Sequence, residues 1–447
     1  MQEIDTGIFI TNNTNNNIYI IGDLHGDYQC LLHCLVDLCK SCNITKIYND
    51  GEFKNNRREY IEWEKNNNSV IVFCGDLIHR QRFPDHILDD ECSDIYIIKT
   101  LLRLKKEAIK YGGNIIIIAG NHEIMNIVNV EDDTYLSPLN KSINNKYFKD
   151  NEFINEYVLN SYAWIKLNDI LLAHGGLCSD YLNYLNDQID SKKIISYVND
   201  KYRSFFKNFI YHKHNLETYD KTAFDLFINY DIIHKSKHNI FWCREWGYGK
   251  INVDKLKSIL NKVNCSKMII SHCPQFLSPD TPKMINFECI DCDNNKEYLL
   301  ARIDLGMSRS FDYNKEDKFF YYLSNNYNRK ISILKLLHNK SNPNNLYFNN
   351  NGIITYKLSC IQYLLLKYGK TIDEWNKYNI KSNWIGFNHI DNLLKNLNNN
   401  NNNNNNNNLC DVNDNKYNSN NVLLCLLYQI HLKNIKLRSI DQFRKFY

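Results

Sequence analysis

Between residues 18 and 303 the chain repeats one pattern. A four- or five-residue apolar run leads straight into glycine, aspartate, asparagine or histidine. The runs are IYII at 18–21, VIVFC at 70–74, IIIIA at 115–119, ILLA at 170–173, MIIS at 268–271 and LLARI at 299–303. Runs this short, and this rich in β-branched and aliphatic residues, suit buried strands. Helix-like patterns at Cys30–Lys40 and Ser93–Tyr111 lie between some of them. The alternation predicts an α/β domain whose sheet is covered by helices.

What stands at the strand ends narrows the chemistry. IYII is followed by Gly22-Asp23-Leu24-His25-Gly26-Asp27, and VIVFC by Gly75-Asp76-Leu77-Ile78-His79-Arg80. IIIIA runs into Gly120-Asn121-His122-Glu123, ILLA into His174-Gly175-Gly176, and MIIS into His272. Each junction offers an oxygen or imidazole donor at the C-terminal end of a strand. Glycine beside most of them lets the backbone turn sharply and approach a small ion cluster. Seven of the chain's 16 glycines (22, 26, 75, 120, 175, 176 and 306) stand in these junctions and one later motif. One such junction alone reads equally well as a tight turn. Five in series, each behind an apolar strand, point to a metal site. Aspartate, asparagine and histidine without cysteine favour Mn, Fe, Zn or Co. Two such ions, about 3.5–4 Å apart, can clamp an in-line displacement at phosphorus and activate a water.

The rest of the chain sets the limits. Its 447 residues allow one large domain with extensions, or two to three domains. Lys plus Arg is 54 and Asp plus Glu 50, a net charge of +4, which argues against a dedicated nucleic-acid or membrane-surface binder. The 70 asparagines, with abundant Ile, Lys and Tyr, share A/T-rich codons and report a genome rather than a function. No apolar run approaches the roughly 20 residues that span a bilayer. The first residues lack the pattern of a signal peptide. Fifteen cysteines, an odd number without a regular framework, fit reduced thiols and a cytoplasmic location. The pairs Cys39/Cys42 and Cys289/Cys292 read as ordinary thiols. The expected organisation is an N-terminal segment at 1–17 and a catalytic domain at 18–315 with insertions at about 43–68 and 180–240. A helical extension at 316–397 follows, with short helices at Ile331–Leu337 and Ser359–Tyr368 and an amphipathic stretch at Ile390–Leu397. An Asn-rich low-complexity linker at 398–421, with eleven consecutive asparagines, leads to a C-terminal helix at 422–447.

In their order, GDLHGD, GDLIHR, GNHE and HGG resemble the calcineurin-like metallophosphoesterases, and Glu123 after Gly-Asn-His resembles the phosphoprotein phosphatases among them. Phe241-Trp242-Cys243-Arg244, Ser271-His272-Cys273-Pro274-Gln275 and Ile303-Asp304-Leu305-Gly306-Met307-Ser308-Arg309 resemble blocks of the bacterial-like (Shewanella-like) branch. The resemblance covers roughly residues 18–313. It implies a four-layer α/β fold, two packed mixed β-sheets flanked by helices, here with a helical Asn-rich C-terminal extension. It implies two divalent metal ions (Mn, Fe or Zn), with Asp23 and His25 on the first, Asp76 bridging, and Asn121, His174 and His272 on the second. His122 would protonate the leaving alkoxide. Arg80, Arg244 and Asn121 would hold the phosphoryl oxygens, which suits the guanidinium fork. The activity implied is hydrolysis of phosphomonoesters on protein side chains, Ser/Thr ahead of Tyr, by direct attack of a bimetal-bound hydroxide. The partner is then a phosphorylated protein, with no nucleic acid and no membrane, and any regulatory partner of the C-terminal extension is left unassigned. Hydrolysis of dinucleoside polyphosphates and a weakly active metal-binding scaffold are the alternatives.

The chain departs from this pattern in its second block. His79 stands where the family has a second aspartate, Gln81 replaces the final glycine, and Ser271 replaces the glycine before His272. The family's aspartate pairs with the histidine equivalent to His122 and keeps it protonated. A histidine cannot do this as an anion. The expectation is either a lower activity or help from another carboxylate, Asp27 or Glu123.

Overall fold

The computed structural model describes residues 1–11, 16–50, 56–79, 92–128, 138–179, 182, 185, 189–211, 239–275, 285–292, 295–308, 331–339 and 346–356. They belong to one compact unit, Met1–Phe311 with Ile331–Tyr356. Its strands are β1 (Gln2–Asp5), β2 (Ile8–Ile10), β3 (Ile18–Ile21), β4 (Cys42–Asp50), β5 (Asn56–Trp63), β6 (Val70–Phe73), β7 (Asn114–Ile118), β8 (Ser161–Tyr162), β9 (Trp164–Leu167), β10 (Ile170–Ala173), β11 (Lys267–Ile270), β12 (Asn286–Cys292), β13 (Asn295–Arg302), β14 (Ile331–His338), β15 (Leu346–Tyr347) and β16 (Ile353–Tyr356). The helices are α1 (Tyr28–Leu32), α2 (Asp94–Lys110), α3 (Asn121–Ile127), α4 (Pro138–Tyr147), α5 (Asn151–Asn160), α6 (Ile194–Tyr211) and α7 (Val253–Lys262).

Two mixed sheets carry the architecture. One runs β1-β2-β9-β10-β11-β13-β12, and the other β15-β14-β3-β6-β7-β8 with β16 beside β14. Their centres are parallel, β3-β6-β7 in one and β10-β11-β13 in the other. Every residue of β3, β6 and β10 is buried. A strand covered on both faces has no polar side to alternate with, hence the unbroken apolar runs. Helix α2 turns Ile95, Ile98, Leu101, Leu102 and Ala108 inward, an apolar stripe at helical spacing.

The segment Ile331–Leu337, expected as a helix, is strand β14. It pairs antiparallel with β3 on one side (Leu334 opposite Ile20) and with β16 on the other (Ile331 opposite Tyr356). Seven residues make only a marginal helix. Neighbouring strands offer backbone partners along it, β16 at Ile331–Leu334, β3 at Leu334–Leu336 and β15 at Leu337 and His338. The boundary at 315 therefore moves, because the sheet recruits residues 331–356. The N-terminal boundary moves too, since β2 joins the other sheet beside β9.

The expected surface insertion at 43–68 is a two-stranded ribbon, β4 with β5, docked on α2. Arg103 Nη2 donates to the Ile61 carbonyl at 2.6 Å, and the Trp63 N–H to Glu107 Oε2 at 2.9 Å. Arg58 lies over the rings of Tyr28 and Tyr96 and donates to Ser93 Oγ at 2.8 Å. In the 180–240 region α6 buries Phe205 and Phe206 as core. Arg80, Arg309, the asparagine run and the helices expected beyond residue 358 lie outside the described residues. Among the described residues the cysteines are free thiols, and no helix is long and apolar enough to cross a membrane.

Candidate metal centre

The C-terminal ends of β3, β6 and β7 meet those of β10 and β11. The Leu24 and His25 N–H groups donate to the Asp76 carbonyl at 3.0 and 2.8 Å, joining the first two loops. The Ser271 N–H donates to the His174 carbonyl at 2.9 Å, joining the last two. His174 Nδ1 reaches the Cys74 carbonyl at 2.7 Å and so links the two sheets. Two donor clusters result. His25, Asp76 and His122 form one and Asp76, His174 and His272 the other, each with its candidate ligand atoms within 4.8 Å of one another. Asp76 belongs to both. Its Oδ2 lies 3.7 Å from His25 Nε2 and from His122 Nε2, and its Oδ1 lies 3.3 Å from His174 Nε2. Asp23 Oδ2 is 3.6 Å from His25 Nε2. The Asn121 side-chain amide lies 2.9 Å from His174 Nε2 and 3.0 Å from His272 Nδ1. All six candidate ligands are brought together, and all are buried.

The backbone is bent to deliver them. His25 (φ 42°), Asp76 (φ 50°), His79 (φ 68°) and His272 (φ 65°) sit in the left-handed region. Asp and His enter that region more readily than most side chains, yet each such residue costs of order 1–3 kcal/mol and needs support from its surroundings. Gly120 is where the loops touch: a Cβ there would lie 2.3 Å from both Asp76 N and Asp76 Oδ1. Glu123, in the first turn of α3, locks the same contact. Its carboxylate accepts the N–H groups of Gly120 (2.8 Å), Asp76 (3.0 Å), Leu77 (2.7 Å) and Ile78 (3.3 Å). The sequence offered Glu123 as an aid to His122; in the structure it clamps one loop onto the other. The available signal was its place three residues after the Gly120 cap, where an acid reaches back to the helix start. Asp27 likewise caps α1, accepting the Cys30 N–H at 3.0 Å.

The electrostatics ask for a cation. Burial pushes the Asp23 carboxyl well above the usual carboxylate range, and Asp304 and Asp76 push it further. Burial also raises Asp76, but His122, His174 and His25 outweigh that and hold it well below its ordinary value. Glu123 is raised to about 7 by burial, then by Asp76. Asp23 Oδ2 is buried and makes no hydrogen bond. Crowded carboxylates, imidazoles and an amide fit divalent ions of borderline hardness, and among the described residues no cysteine joins these clusters. Residues of the later motif blocks to which the sequence assigned no role position the ligands. Ser271 Oγ donates to Asp23 Oδ1, and Ser308 Oγ to the His25 carbonyl at 3.2 Å. Asp304 closes its own turn by accepting the Gly306 N–H at 3.0 Å. The Trp242 ring stands edge-on to His272 at 5.7 Å, and Arg244, two residues on, is exposed.

Beside the clusters, His122 Nδ1 and His79 Nδ1 are 2.6 Å apart. The Asn126 amide nitrogen bonds to His79 Nε2 and donates to the His122 carbonyl at 3.0 Å. The His79 N–H donates to Asp94 Oδ2 at 3.0 Å.

The family profile of the calcineurin-like phosphoesterases matches residues 17–241. The chain belongs to that family and is a hydrolase of it. Its likeness within the family runs to the Shewanella-like branch. Shewanella-like protein phosphatase 1 of Plasmodium berghei (strain Anka) is 25% identical over 313 residues, 67% of this chain and 69% of that one. Uncharacterized protein R398 of Acanthamoeba polyphaga mimivirus is 24% identical over 261 residues, 50% of this chain and 98% of that one. Among solved structures, the cold-active protein-tyrosine phosphatase of a psychrophilic Shewanella species is 16% identical with a TM-score of 0.48, covering 79% of this chain and 82% of that one.

Proposed function

We propose that the chain is a metal-dependent protein phosphatase that hydrolyses phosphomonoesters on protein side chains. The observation that carries this reading is Asp76, shared by two donor clusters at the facing ends of two sheets. Asp23 and His25 would hold one divalent ion and Asn121, His174 and His272 the other, with Asp76 available to both. The ions, Mn, Fe or Zn, supply an activated water and offset the charge of the phosphoryl oxygens. The protein does the rest. Glu123 keeps the Asp76 and Asn121 loops in register. Arg80 and Arg244 bind the phosphoryl oxygens, with the Asn121 amide beside them. His122 presents Nε2 to the leaving oxygen, since its Nδ1 is engaged by His79. The whole donor set is buried, so its charges act in a medium less screening than water.

The test is phosphate release by the chelator-stripped chain with Mn²⁺ added back, on p-nitrophenyl phosphate and phosphopeptides, with Asp76→Asn as control. Metal-dependent turnover lost in the variant is expected. Metal binding without turnover of any phosphomonoester would overturn the reading in favour of a scaffold. Faster release of mononucleotides from dinucleoside polyphosphates would move it to that substrate.

A further inference from the structure

We infer that Arg302 and Gln275 are positioning residues for phosphoryl binding: by holding backbone carbonyls of the loop 244–249 they set Arg244 in register with the loops that carry the metal ligands. The identity of the anion rests on the phosphatase reading above; the clamp itself does not.

Arg244 lies in an irregular segment, with no helix or strand to fix its backbone. Its side chain is exposed, and among the described residues it makes no hydrogen bond or ion pair. An arginine in that state gives up side-chain freedom when it binds an anion, and a loose backbone beneath it would add to the loss. The backbone beyond it is held. Arg302, on β13, is buried and donates three ways: Nε to the Trp246 carbonyl at 2.6 Å, Nη2 to the Gly249 carbonyl at 2.9 Å and Nη1 to Glu288 Oε1 at 2.9 Å. Gln275, also buried, donates from Nε2 to the Gly247 carbonyl at 3.0 Å, and its Oε1 accepts the Asn286 amide. Buried carbonyls of an irregular segment need partners from outside it. Those of Trp246, Gly247 and Gly249 find them in two buried side chains.

The clamp is continuous with the metal centre. The Gln275 N–H, three residues past His272, donates to the Asp304 carbonyl at 2.8 Å. Gly247 has no room for a side chain: a Cβ there would lie 2.3 Å from Cys273 Sγ, so the loop rests on the residue next to His272. Towards His174, Trp246 Nε1 donates to the Leu177 carbonyl at 2.7 Å, and the Glu245 carboxylate accepts the Ser179 N–H at 3.1 Å. The loop is thus bonded to the segments that follow both histidines, and the Arg244 guanidinium is left for a ligand. A free fork on a fixed backbone suits a phosphoryl group, whose oxygens it meets two at a time. Misplacing such a group by about 1 Å can cost about 10²-fold in rate.

A double-mutant cycle tests it, read as kcat/KM of the Mn²⁺-loaded chain on p-nitrophenyl phosphate. Arg244→Ala should lower the value by about 10²–10³-fold, and Arg302→Met by roughly 10²-fold. Because Arg302 acts through Arg244, adding Arg302→Met to Arg244→Ala should cost less than about threefold more. A general structural prop would give losses that multiply, and that result would overturn the inference. So would a weakened Mn²⁺ affinity in Arg302→Met by isothermal titration, since the effect would then lie in the metal ligands. Gln275→Leu, which gives up one bond to the loop, runs the same cycle with a loss of about tenfold, and it carries the test if Arg302→Met does not fold. The cycle is repeated on the affinity of the Mn²⁺-loaded chain for inorganic phosphate, with the same small excess expected. No turnover with phosphate binding intact would sink the phosphatase reading alone, leaving this second cycle to decide the clamp. No phosphate binding by the metal-loaded wild type would sink both.

Discussion

The two flanks of the centre are stabilised by opposite means. On one flank Asp304 and Asp76 repel the Asp23 carboxylate in a buried space, and Asp23 keeps an oxygen with no hydrogen bond. On the other, Asn126, His79 and His122 are joined by hydrogen bonds between neighbouring side chains. The first flank is costly until a cation offsets it. The second is held by hydrogen bonds among its own side chains. Charge is stored where an ion binds, and hydrogen-bond order where a proton is presented.

The sharpest way to break the contrast is Asp76→Asn, which removes the anion common to both clusters. Metal-dependent turnover should fall by on the order of 10³-fold or more, read as phosphate release at saturating Mn²⁺. Gly120→Ala strikes the seam between loops. Its methyl would sit 2.3 Å from Asp76 N and Oδ1, so the metal-free chain should lose about 3 kcal/mol. In a domain of this size that is a fall in Tm of roughly 4 °C. Glu123→Gln points an NH₂ group at backbone donors. Isothermal titration should show metal affinity weakened about 10–100-fold, with about 2 kcal/mol lost from stability.

The smallest expected effect runs the other way. Because the folded-state pKa of Asp23 is raised, the penalty of its charge is absent below the unfolded value of about 3.9 and grows as pH rises towards the folded one. Asp23→Asn should therefore stabilise the metal-free protein, by a few degrees in Tm at pH 7. The gain should vanish near pH 4, and metal affinity should fall throughout. A variant less stable than wild type at pH 7 without metal would show that the carboxylates are not in conflict.

Much of the centre was legible before any coordinates. The runs at 18–21, 70–74, 115–119, 170–173, 268–271 and 299–303 all fall within or overlap strands, because a strand covered on both faces must be apolar throughout. The donors follow them within a few residues, so finding the strand ends located Asp23, Asp76, Asn121, His174 and His272 as well. Strand β14 was not legible. ISILKLL suits a short helix or a strand, and the open edge of β3, 310 residues or more away in sequence, made the choice.

The sequence by itself determined which residues lie at the strand ends and which donor types they offer, since both depend on neighbours within a few positions. Tertiary structure alone decided the rest. It made Glu123 a clamp 45–47 residues across the chain and drew residues 331–356 into the sheet. It also set His79 against His122, 43 residues apart, with Asn126 behind them. A motif can show that an aspartate has become a histidine. Only the tertiary structure shows that this histidine stands between His122 and the Asn126 amide, because such contacts are specified by no sequence spacing.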